Sequence, residues 1–378
     1  MNYPPYLSTG DQGSFANFTV INRLPGIIRS IDENNSLDTD TSSRLKELVR
    51  AIPESPLELL PATSDINKRI NDEIRKNAYR WNNVPFIFIE NYLYHLLIEI
   101  MDFKNNGKDY FSFKKNADVI SNKDRFVDFI GKANELSENK FEQALRDILY
   151  LNIHGNKADL SQLSDLRNGN LKLLIDDTEK AVDIFRNAKR IDFVLDNSGE
   201  ELFFDILLVH FLFCKAEAEK VVLHFKTIPY FVSDALKTDF NFLLLKIAEN
   251  EHGRNFAGTI DQYIKSGRLL LCDDDYWNDT EDFRDMPEHI KNSLDESELI
   301  IFKGDLNYRK LLGDRHWDFS ARTADITAYL KKNSLIIRIL KSELMTGLNP
   351  NEIPSLQNKT WMYNGEYGII QMLSAACR

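Results

Sequence analysis

The hydrophobic pattern of the first part of the chain predicts helices. From about residue 43 to residue 140, apolar positions recur three and four residues apart, which is the spacing of an amphipathic helix. Residues 86–101 and 125–151 show this spacing most clearly. We find no run of strand type before residue 150. These observations predict a mainly helical N-terminal cap over residues 1–150.

After about residue 170, short apolar runs alternate with helical stretches. The runs with the length of buried strands are residues 191–195, 221–225, 269–272, 299–302, 335–340 and 367–372. Helical patterns cover residues 178–188, 201–215 and 233–250. Strands separated by helices build a mostly parallel sheet that is covered on both faces. The sequence therefore predicts an α/β three-layer sandwich with a mostly parallel central sheet over residues 151–378, joined to the N-terminal helical domain.

Composition and charge exclude several classes of protein. The chain has 47 basic and 58 acidic side chains, a formal net charge of −11, and a pI of about 5.3. An acidic surface does not attract nucleic acid or an anionic membrane. The apolar runs are too short to span a bilayer, and no basic-then-apolar leader precedes them. We expect a cytoplasmic protein, with a nuclear fraction and the oligomeric state left open.

Cysteine and histidine usage narrows the choice of metal. Cys214, Cys272 and Cys377 are far apart and form no CxxC pair, which argues against a disulfide framework or a cysteine-based zinc site. The seven histidines show no HExxH spacing. Any bound metal should therefore have oxygen ligands, as hard or borderline divalent cations do.

Polar side chains collect where the predicted strands end. Such positions are Asp196, Asn197, Ser233, Asp234 and residues 303–310, with cations at Lys226, Arg338 and Lys341. Because the carboxyl ends of parallel strands meet at one edge of a sheet, these side chains should share one crevice. Oxygen ligands beside cations are typical of a divalent metal that binds together with a phosphorylated or carboxylated ligand.

Plainer interpretations exist for each of these loops. Residues 196–199 are of types that favour turns and helix N-caps, and Ser233 and Asp234 share that ambiguity. The acidic run at residues 273–275 is typical of a solvated loop. The convergence of several loops on one sheet edge favours a functional site over separate turns and caps.

The glycine patterns of dinucleotide and P-loop sites do not occur, and neither does the GxSxG elbow of serine hydrolases.

Four motifs resemble the metal-dependent damage-control phosphatases. They are Phe-Val-Leu-Asp-Asn-Ser-Gly at residues 193–199, Phe-Val-Ser-Asp at 231–234, Ile-Phe-Lys-Gly-Asp-Leu-Asn-Tyr-Arg-Lys-Leu at 301–311 and Gly-Asp-Arg at 313–315. Shorter similar stretches occur at residues 155–161, 176–180 and 367–370. The resemblance is to the eukaryotic subfamily that also includes the acidic residue methyltransferase 1 proteins, and it extends from about Asn22 to the end.

The resemblance implies a role for each matching position. Asp196, Asn197 and Asp234 would be catalytic and would bind a divalent metal, which could be manganese, nickel, cobalt or magnesium. The positions implied to contact or surround the substrate are Glu201, Asp305, Leu306, Asn307, Tyr308, Arg309 and Lys341, and we add Glu90, Lys226 and Arg338.

Three positions depart from the family pattern. The subfamily's Arg-Thr-x-Lys motif reads Arg-Ile-Leu-Lys at residues 338–341, His95 replaces an arginine, and Glu200 stands where an aromatic residue is common. These departures affect the expected substrate preference more than the expected metal binding.

The predicted function is hydrolysis of a phosphomonoester, a small sugar phosphate such as fructose 1-phosphate or fructose 6-phosphate, in a damage-control or housekeeping role. The metal would polarise the phosphoryl group while Lys341 and Arg309, with Lys226 as a further candidate, neutralise its oxygens. Whether water or Asp196 is the nucleophile stays open. Two alternatives are an S-adenosylmethionine-dependent carboxyl methyltransferase acting on protein glutamates and a non-catalytic sugar-phosphate sensor.

Overall fold

The computed structural model describes residues 3–136, 138–154, 171–351, 353, 356 and 359–375, and a seven-stranded sheet lies at its centre. In chain order the strands are β1 (Lys172–Asp176), β2 (Arg190–Val194), β3 (Lys220–Phe225), β4 (Leu269–Asp273), β5 (Leu299–Lys303), β6 (Asn333–Ile339) and β7 (Tyr367–Leu373). Across the sheet their order is β1-β7-β6-β5-β2-β3-β4. Strands β2 to β6 run parallel to one another, and β7 is antiparallel to β6 but parallel to β1. The predicted mostly parallel sheet is confirmed.

Helices precede the sheet and separate its strands. Before β1 they are α1 (Phe15–Phe18), α2 (Leu24–Asn34), α3 (Thr39–Ala51), α4 (Asp65–Asn77), α5 (Phe86–Ile100), α6 (Phe103–Asn106), α7 (Ser112–Leu136) and α8 (Phe141–His154). After β1 they are α9 (Thr178–Asn187), α10 (Glu200–Lys215), α11 (Lys237–Ile247), α12 (Glu251–Lys265), α13 (Glu288–Asp295), α14 (Gly304–Leu312) and α15 (Thr323–Ile326). A π-helix, Thr19–Arg23, joins α1 to α2.

The alternation of side chains along the strands divides the core into two clusters, one on each face of the sheet. On β5, Ile300 and Phe302 belong to the cluster that contains the apolar residues of α2 to α5. Leu299 and Ile301 belong to the opposite cluster, with α7, α8, α10 and α12. The helices before residue 150 thus contribute to both faces, while the domain division at residue 150 stays a prediction.

Two predictions of elements need correction. Strand β1 was not predicted, because its apolar run is only three residues long, from Leu173 to Ile175. It lies at the edge of the sheet, and none of its residues is fully buried. The helical pattern predicted at 233–250 is shorter, since α11 begins at Lys237 and Ser233 and Asp234 lie in the preceding loop. The similar stretch at residues 155–161 and the cysteine at position 377 lie outside the described residues.

Among the described residues, no helix is both long enough and apolar enough to cross a bilayer.

Candidate active site

Two loops at the carboxyl edge of the sheet lie side by side. One follows β2 and carries Asp196, and the other follows β3 and carries Asp234. The backbone N–H of Ala235 donates to the carbonyl of Asp196 at 2.8 Å, and the N–H of Ser198 donates to the carbonyl of Ser233 at 2.7 Å. These bonds bring together loops that are separated in sequence by α10 and β3.

The turn before Asp234 has an unusual backbone. Phe231 and Val232 have φ values of 42° and 69°, in the left-handed region that a β-branched residue such as valine rarely adopts. The N–H of Asp234 donates to the carbonyl of Tyr230 at 3.1 Å and closes this turn. Backbone strain of this kind persists where surrounding structure holds it, and it clusters at functional sites. Here it turns the chain so that Asp234 faces the β2 loop.

The side chains of the β2 loop do not cap the helix that follows. Helix α10 begins after Gly199, and no side chain of that residue is available to bond its first N–H groups. Asp118 of α7 supplies the acceptor instead, because its Oδ2 accepts from the N–H of Glu200 at 3.0 Å. Asp196 and Asn197 are therefore not consumed as caps.

Burial sets the electrostatics of the two aspartates. It raises the pKa of Asp196 well above its usual range, and the charges of Glu201 and Asp234 raise it further against the opposing Lys341 and Lys226. Burial also raises the pKa of Asp234 to about 7, although the charge of Lys226 opposes this. Two carboxylates that resist ionisation together are stabilised in the charged form by a bound cation.

The Asn197 amide links the β2 loop to the β3 loop beside the two aspartates. Its Nδ2 donates to Asp196 Oδ2 at 2.6 Å and to Glu201 Oε2 at 2.8 Å, and its Oδ1 accepts from the Ser233 hydroxyl. The buried Oδ2 of Asp234 has no hydrogen-bond partner among the described residues. Within that part of the chain, no three histidine, cysteine, aspartate or glutamate side chains are grouped to hold a metal. The predicted set consists of two carboxylates and an amide, an all-oxygen donor set that fits a hard divalent cation.

A cavity of about 490 Å³ opens beside these loops. The predicted site residues on its wall are Glu90, Asp196, Asn197, Asp234, Asp305, Leu306, Arg309 and Lys341. A smaller adjoining cavity of about 60 Å³ is lined by Asp196, Glu201 and Lys341, among others. The structure thus gathers positions from α5, the β2 and β3 loops, α14 and the chain after β6.

Four predicted substrate-binding residues, Lys226, Asn307, Tyr308 and Arg338, line neither of these cavities. Two of them, Asn307 and Tyr308, bond to other parts of the fold. The Asn307 amide donates to the carbonyls of Leu195 and Lys303 at 3.0 and 2.7 Å, and the Tyr308 hydroxyl lies 3.0 Å from that of Thr346. Neither side chain is on the wall of the main cavity. The helical period explains the difference, because positions 305, 306 and 309 share one face of α14 and positions 307 and 308 do not.

The two predicted arginines are already paired. Arg309 contacts Glu90 at 2.5 Å and makes two bonds of 2.8 Å to Asp314. Arg338 donates from Nε to Asp305 at 2.8 Å. Both guanidinium groups are buried, so removing a partner would leave an uncompensated charge. Their arrangement suits the holding of Glu90 and Asp305 better than direct binding of phosphate.

The two predicted lysines, Lys341 and Lys226, differ in whether a carboxylate lies within ion-pair distance. Burial lowers the pKa of Lys341, but the carboxylates of Asp196, Glu201 and Asp305 outweigh it and raise the pKa above its usual value. No carboxylate lies within ion-pair distance of Lys341 in the described structure. Lys226 is buried behind Asp234, with Nζ 3.8 Å from Oδ2 and 3.1 Å from the carbonyl of Trp277. Of the four predicted cations, Lys341 is thus the one available to a ligand.

Sequence reasoning did not single out Lys303. Its Nζ is 2.9 Å from Asp205 Oδ1 and 3.4 Å from Glu201 Oε1, and it lines the smaller cavity with Asp196. The residue stands within the 301–311 motif, but alone it has the pattern of a solvated turn. Its place behind Asp196 depends on the pairing of β5 with β2.

Comparison with known proteins gives a consistent result. A family model described as the damage-control phosphatase ARMT1-like domain matches residues 19–356. Proteins named damage-control phosphatase ARMT1 are 29% identical in Macaca fascicularis and 28% in Homo sapiens, each match covering 97% of this chain and 98% of the relative.

A solved structure shares the fold. A duf89 family protein from Pyrococcus horikoshii superposes with a TM-score of 0.51 at 15% identity, over 95% of this chain and 98% of the other. At that identity the likeness concerns the fold alone. The match to the family model and the named relatives confirm the predicted family and the prediction of a phosphatase. Since the model match spans most of its length, the chain belongs to the damage-control phosphatase ARMT1-like family.

Proposed function

We propose that this protein is a cytoplasmic, metal-dependent phosphomonoesterase that acts on small sugar phosphates of the fructose 1-phosphate or fructose 6-phosphate type. One observation carries the proposal. Asp196 and Asp234 are buried at the wall of a cavity, and among the described residues no cation lies closer to either carboxylate than Lys226, at 3.8 Å from Asp234. Lys115 bonds Asp234 only at its backbone carbonyl, at 2.7 Å. Such a pair of carboxylates is a site for a divalent cation.

Different side chains would bind the metal and neutralise the phosphoryl group. Asp196, Asn197 and Asp234 would hold manganese, nickel, cobalt or magnesium through oxygen atoms. A divalent cation bound there supplies Lewis-acid polarisation of a phosphoryl oxygen. Lys341 neutralises negative charge on the other phosphoryl oxygens, in a partly enclosed place where a charge-assisted hydrogen bond is strong.

The sugar would lie against the paired carboxylates. Asp305 is fixed by Arg338 and by the N–H of Lys341 at 3.0 Å, and Glu90 is fixed by Arg309. Both line the cavity, and carboxylates held in this way accept hydrogen bonds from sugar hydroxyls without losing orientation.

The test is phosphate release from fructose 1-phosphate, fructose 6-phosphate and p-nitrophenyl phosphate. The purified protein is assayed in EDTA and then with added Mg²⁺, Mn²⁺, Co²⁺ or Ni²⁺. We expect activity to appear with metal and to fall by at least roughly 10²-fold in Asp234→Ala, since ligand loss removes the cation. The matched control is Asp261→Ala, which removes an exposed aspartate of α12 that pairs with Lys265 on the surface.

Three outcomes separate the possibilities. Full activity of Asp234→Ala would remove this residue from the metal site. Release from p-nitrophenyl phosphate but from neither fructose phosphate would keep the reaction and discard the substrate. No release with any metal would overturn the proposal, and binding of S-adenosylmethionine or of fructose phosphates would then point to methyl transfer or to a sensor.

A further inference from the structure

The N-terminal helices supply a wall of the same cavity. The residues that they place there include Phe15, Thr19, Arg23, Gly26, Ile27 and Ser30. These positions follow one another three or four residues apart, apart from the adjacent pair at 26 and 27, and so form one stripe of the helical segment. Ile28 and Ile31 are buried in the core, and Leu24 is buried there and also lines the cavity. Phe15 and Ile27 pack against the same core, whereas Arg23 is exposed and lines the cavity.

The backbone of this wall is irregular at the same place. The π-helix Thr19–Arg23 joins α1 to α2, and its first and last residues both line the cavity. Short π-helical turns are rare and occur frequently at functional sites, because the extra residue changes the direction of the side chains that follow. A Cβ atom added to Gly26 would meet nothing within 4 Å, which shows that this position of the stripe faces open space.

Arg23 brings a positive charge to the cavity, where it opposes the rise in the pKa of Glu90 that burial causes. Its Nη1 lies 3.4 Å from the Thr19 hydroxyl, and its guanidinium lies 5.0 Å from the centre of the Phe15 ring. In the described structure no carboxylate is within ion-pair distance of it. Arg309 on the same cavity differs, since Glu90 and Asp314 both contact it.

Lys114 is a second cation of this kind. It stands near the start of α7, is exposed, and lines both the main cavity and a neighbouring cavity of about 230 Å³ that includes Asn197 and Lys341. It too has no carboxylate at ion-pair distance among the described residues. Arg23 and Lys114 add to Lys341, so this cavity has more unpaired cations than one phosphoryl group requires.

We propose that Arg23 and Lys114 form a subsite for a second anionic group of the substrate. The inference rests on the proposed function and specifies its substrate class: phosphomonoesters that carry a further phosphate or carboxylate. The cavity volume of about 490 Å³ falls within the range of roughly 300–1,000 Å³ typical of sites that enclose a whole ligand. A guanidinium held by a hydroxyl and an aromatic ring is well placed for bidentate binding of phosphate or carboxylate.

The experiment compares fructose 1,6-bisphosphate with fructose 1-phosphate and fructose 6-phosphate. We expect kcat/KM for the bisphosphate to exceed that for either monophosphate by about tenfold at low salt, and the advantage to shrink as salt screens the rim charges. Arg23→Met and Lys114→Met should each lower kcat/KM for the bisphosphate at least fivefold more than for the monophosphates. Methionine keeps most of the side-chain length and removes the charge.

Matched controls use exposed cations of the same region that do not line the cavity. Arg29→Met lies on α2 and Lys108→Met precedes α7, and neither should change the ratio between substrates. Equal loss for bisphosphate and monophosphates in Arg23→Met would overturn the inference and assign Arg23 to the support of Glu90. No preference for the bisphosphate in the unaltered protein would also overturn it.

A binding measurement tests the subsite independently of the proposed phosphatase activity. Calorimetric titration of the unaltered protein in EDTA measures affinity for the same three compounds without turnover. Tighter binding of the bisphosphate that Arg23→Met abolishes would support the subsite even if no phosphate is released with any metal. Equal affinities for the three compounds would overturn the subsite even if the phosphatase activity is found.

Discussion

A Cβ atom added to Gly304 would lie 2.0 Å from Oδ2 of Asp196. Gly304 is the first residue of α14 and has a φ of +79°, so both its backbone and its surroundings favour glycine. The carboxylate of Asp196 thus occupies a space that exists only because residue 304 has no side chain.

Gly304→Ala should therefore displace the Asp196 carboxylate. A shift of about 1 Å in a reacting group can lower a rate by roughly 10²-fold, and we expect a loss of that size in kcat/KM for fructose 1-phosphate. Gly258→Ala is the control, because Gly258 is exposed on α12 and an added Cβ meets nothing within 4 Å. In that helix, alanine should raise the free energy of unfolding by about 0.5–1 kcal/mol and leave activity intact. Normal turnover in Gly304→Ala would contradict the proposed role of Asp196.

Asp118 should support the site from a distance. It caps α10 across the fold by accepting from the N–H of Glu200 at 3.0 Å, and it packs against Gly199 at the end of the β2 loop. Asp118→Ala should lower the free energy of unfolding by roughly 0.5–2 kcal/mol, as the loss of an N-cap does. It should also weaken metal binding, because the loop that carries Asn197 loses its anchor.

Urea denaturation and calorimetric metal titration measure these two effects. The comparison variant is Asp124→Ala, which removes an exposed aspartate from the same helix. If both variants had the same metal affinity as the unaltered protein, the support role of Asp118 would be wrong.

The buried pair of Lys303 and Asp205 should be essential to stability. Burial raises the pKa of Asp205 to about 6, and the charge of Lys303 at 2.9 Å opposes that rise. Lys303→Met leaves a buried carboxylate whose strongest partner is gone, which typically costs about 3–5 kcal/mol of unfolding free energy. The double variant Lys303→Met/Asp205→Asn should recover part of this loss, since both charges of the pair are then removed. Chemical denaturation of both variants checks the prediction, and an additive or larger loss in the double variant would refute it.

His95 should make the protein less stable in mild acid. Its Nε2 lies 2.8 Å from the carbonyl of Asn278, and burial lowers its pKa below the usual value near 6.5. The folded protein therefore resists the proton that the unfolded chain accepts below pH 6.5. Stability is complete above that pH and falls as the pH decreases toward the folded-state pKa, by at most about 1.4 kcal/mol per pH unit for one group.

The variant His95→Gln isolates this contribution, because glutamine can donate a similar bond and does not titrate. Urea unfolding at pH 7.5 and 5.5 should show a smaller decrease in stability for His95→Gln than for the unaltered protein. Equal decreases would mean that His95 is protonated in the fold.

Features that depend on neighbouring residues in the sequence could be predicted, and contacts between distant residues could not. Apolar periodicity is local, so the inner strands and the helices α9, α10 and α11 were found, and the motifs at residues 193–199 and 301–311 indicated the family. Helices α12 to α15 were not predicted. Strand β1 was missed because its apolar run, Leu173 to Ile175, is shorter than the runs of the other strands. Arg309 and Glu90 are 219 residues apart, and no local pattern predicts that they form an ion pair.

The sequence by itself determined the α/β class, the mostly parallel sheet and the loops that carry Asp196, Asn197 and Asp234, since these follow from hydrophobic periods and short motifs. Only the tertiary structure decided which charges are paired inside the fold and which face the cavity. It paired Arg309 and Arg338 with buried carboxylates and left Lys341, Arg23 and Lys114 without such partners among the described residues. The reason is physical: the cost of burying a charge depends on its neighbours in space, and those neighbours come from distant parts of the chain.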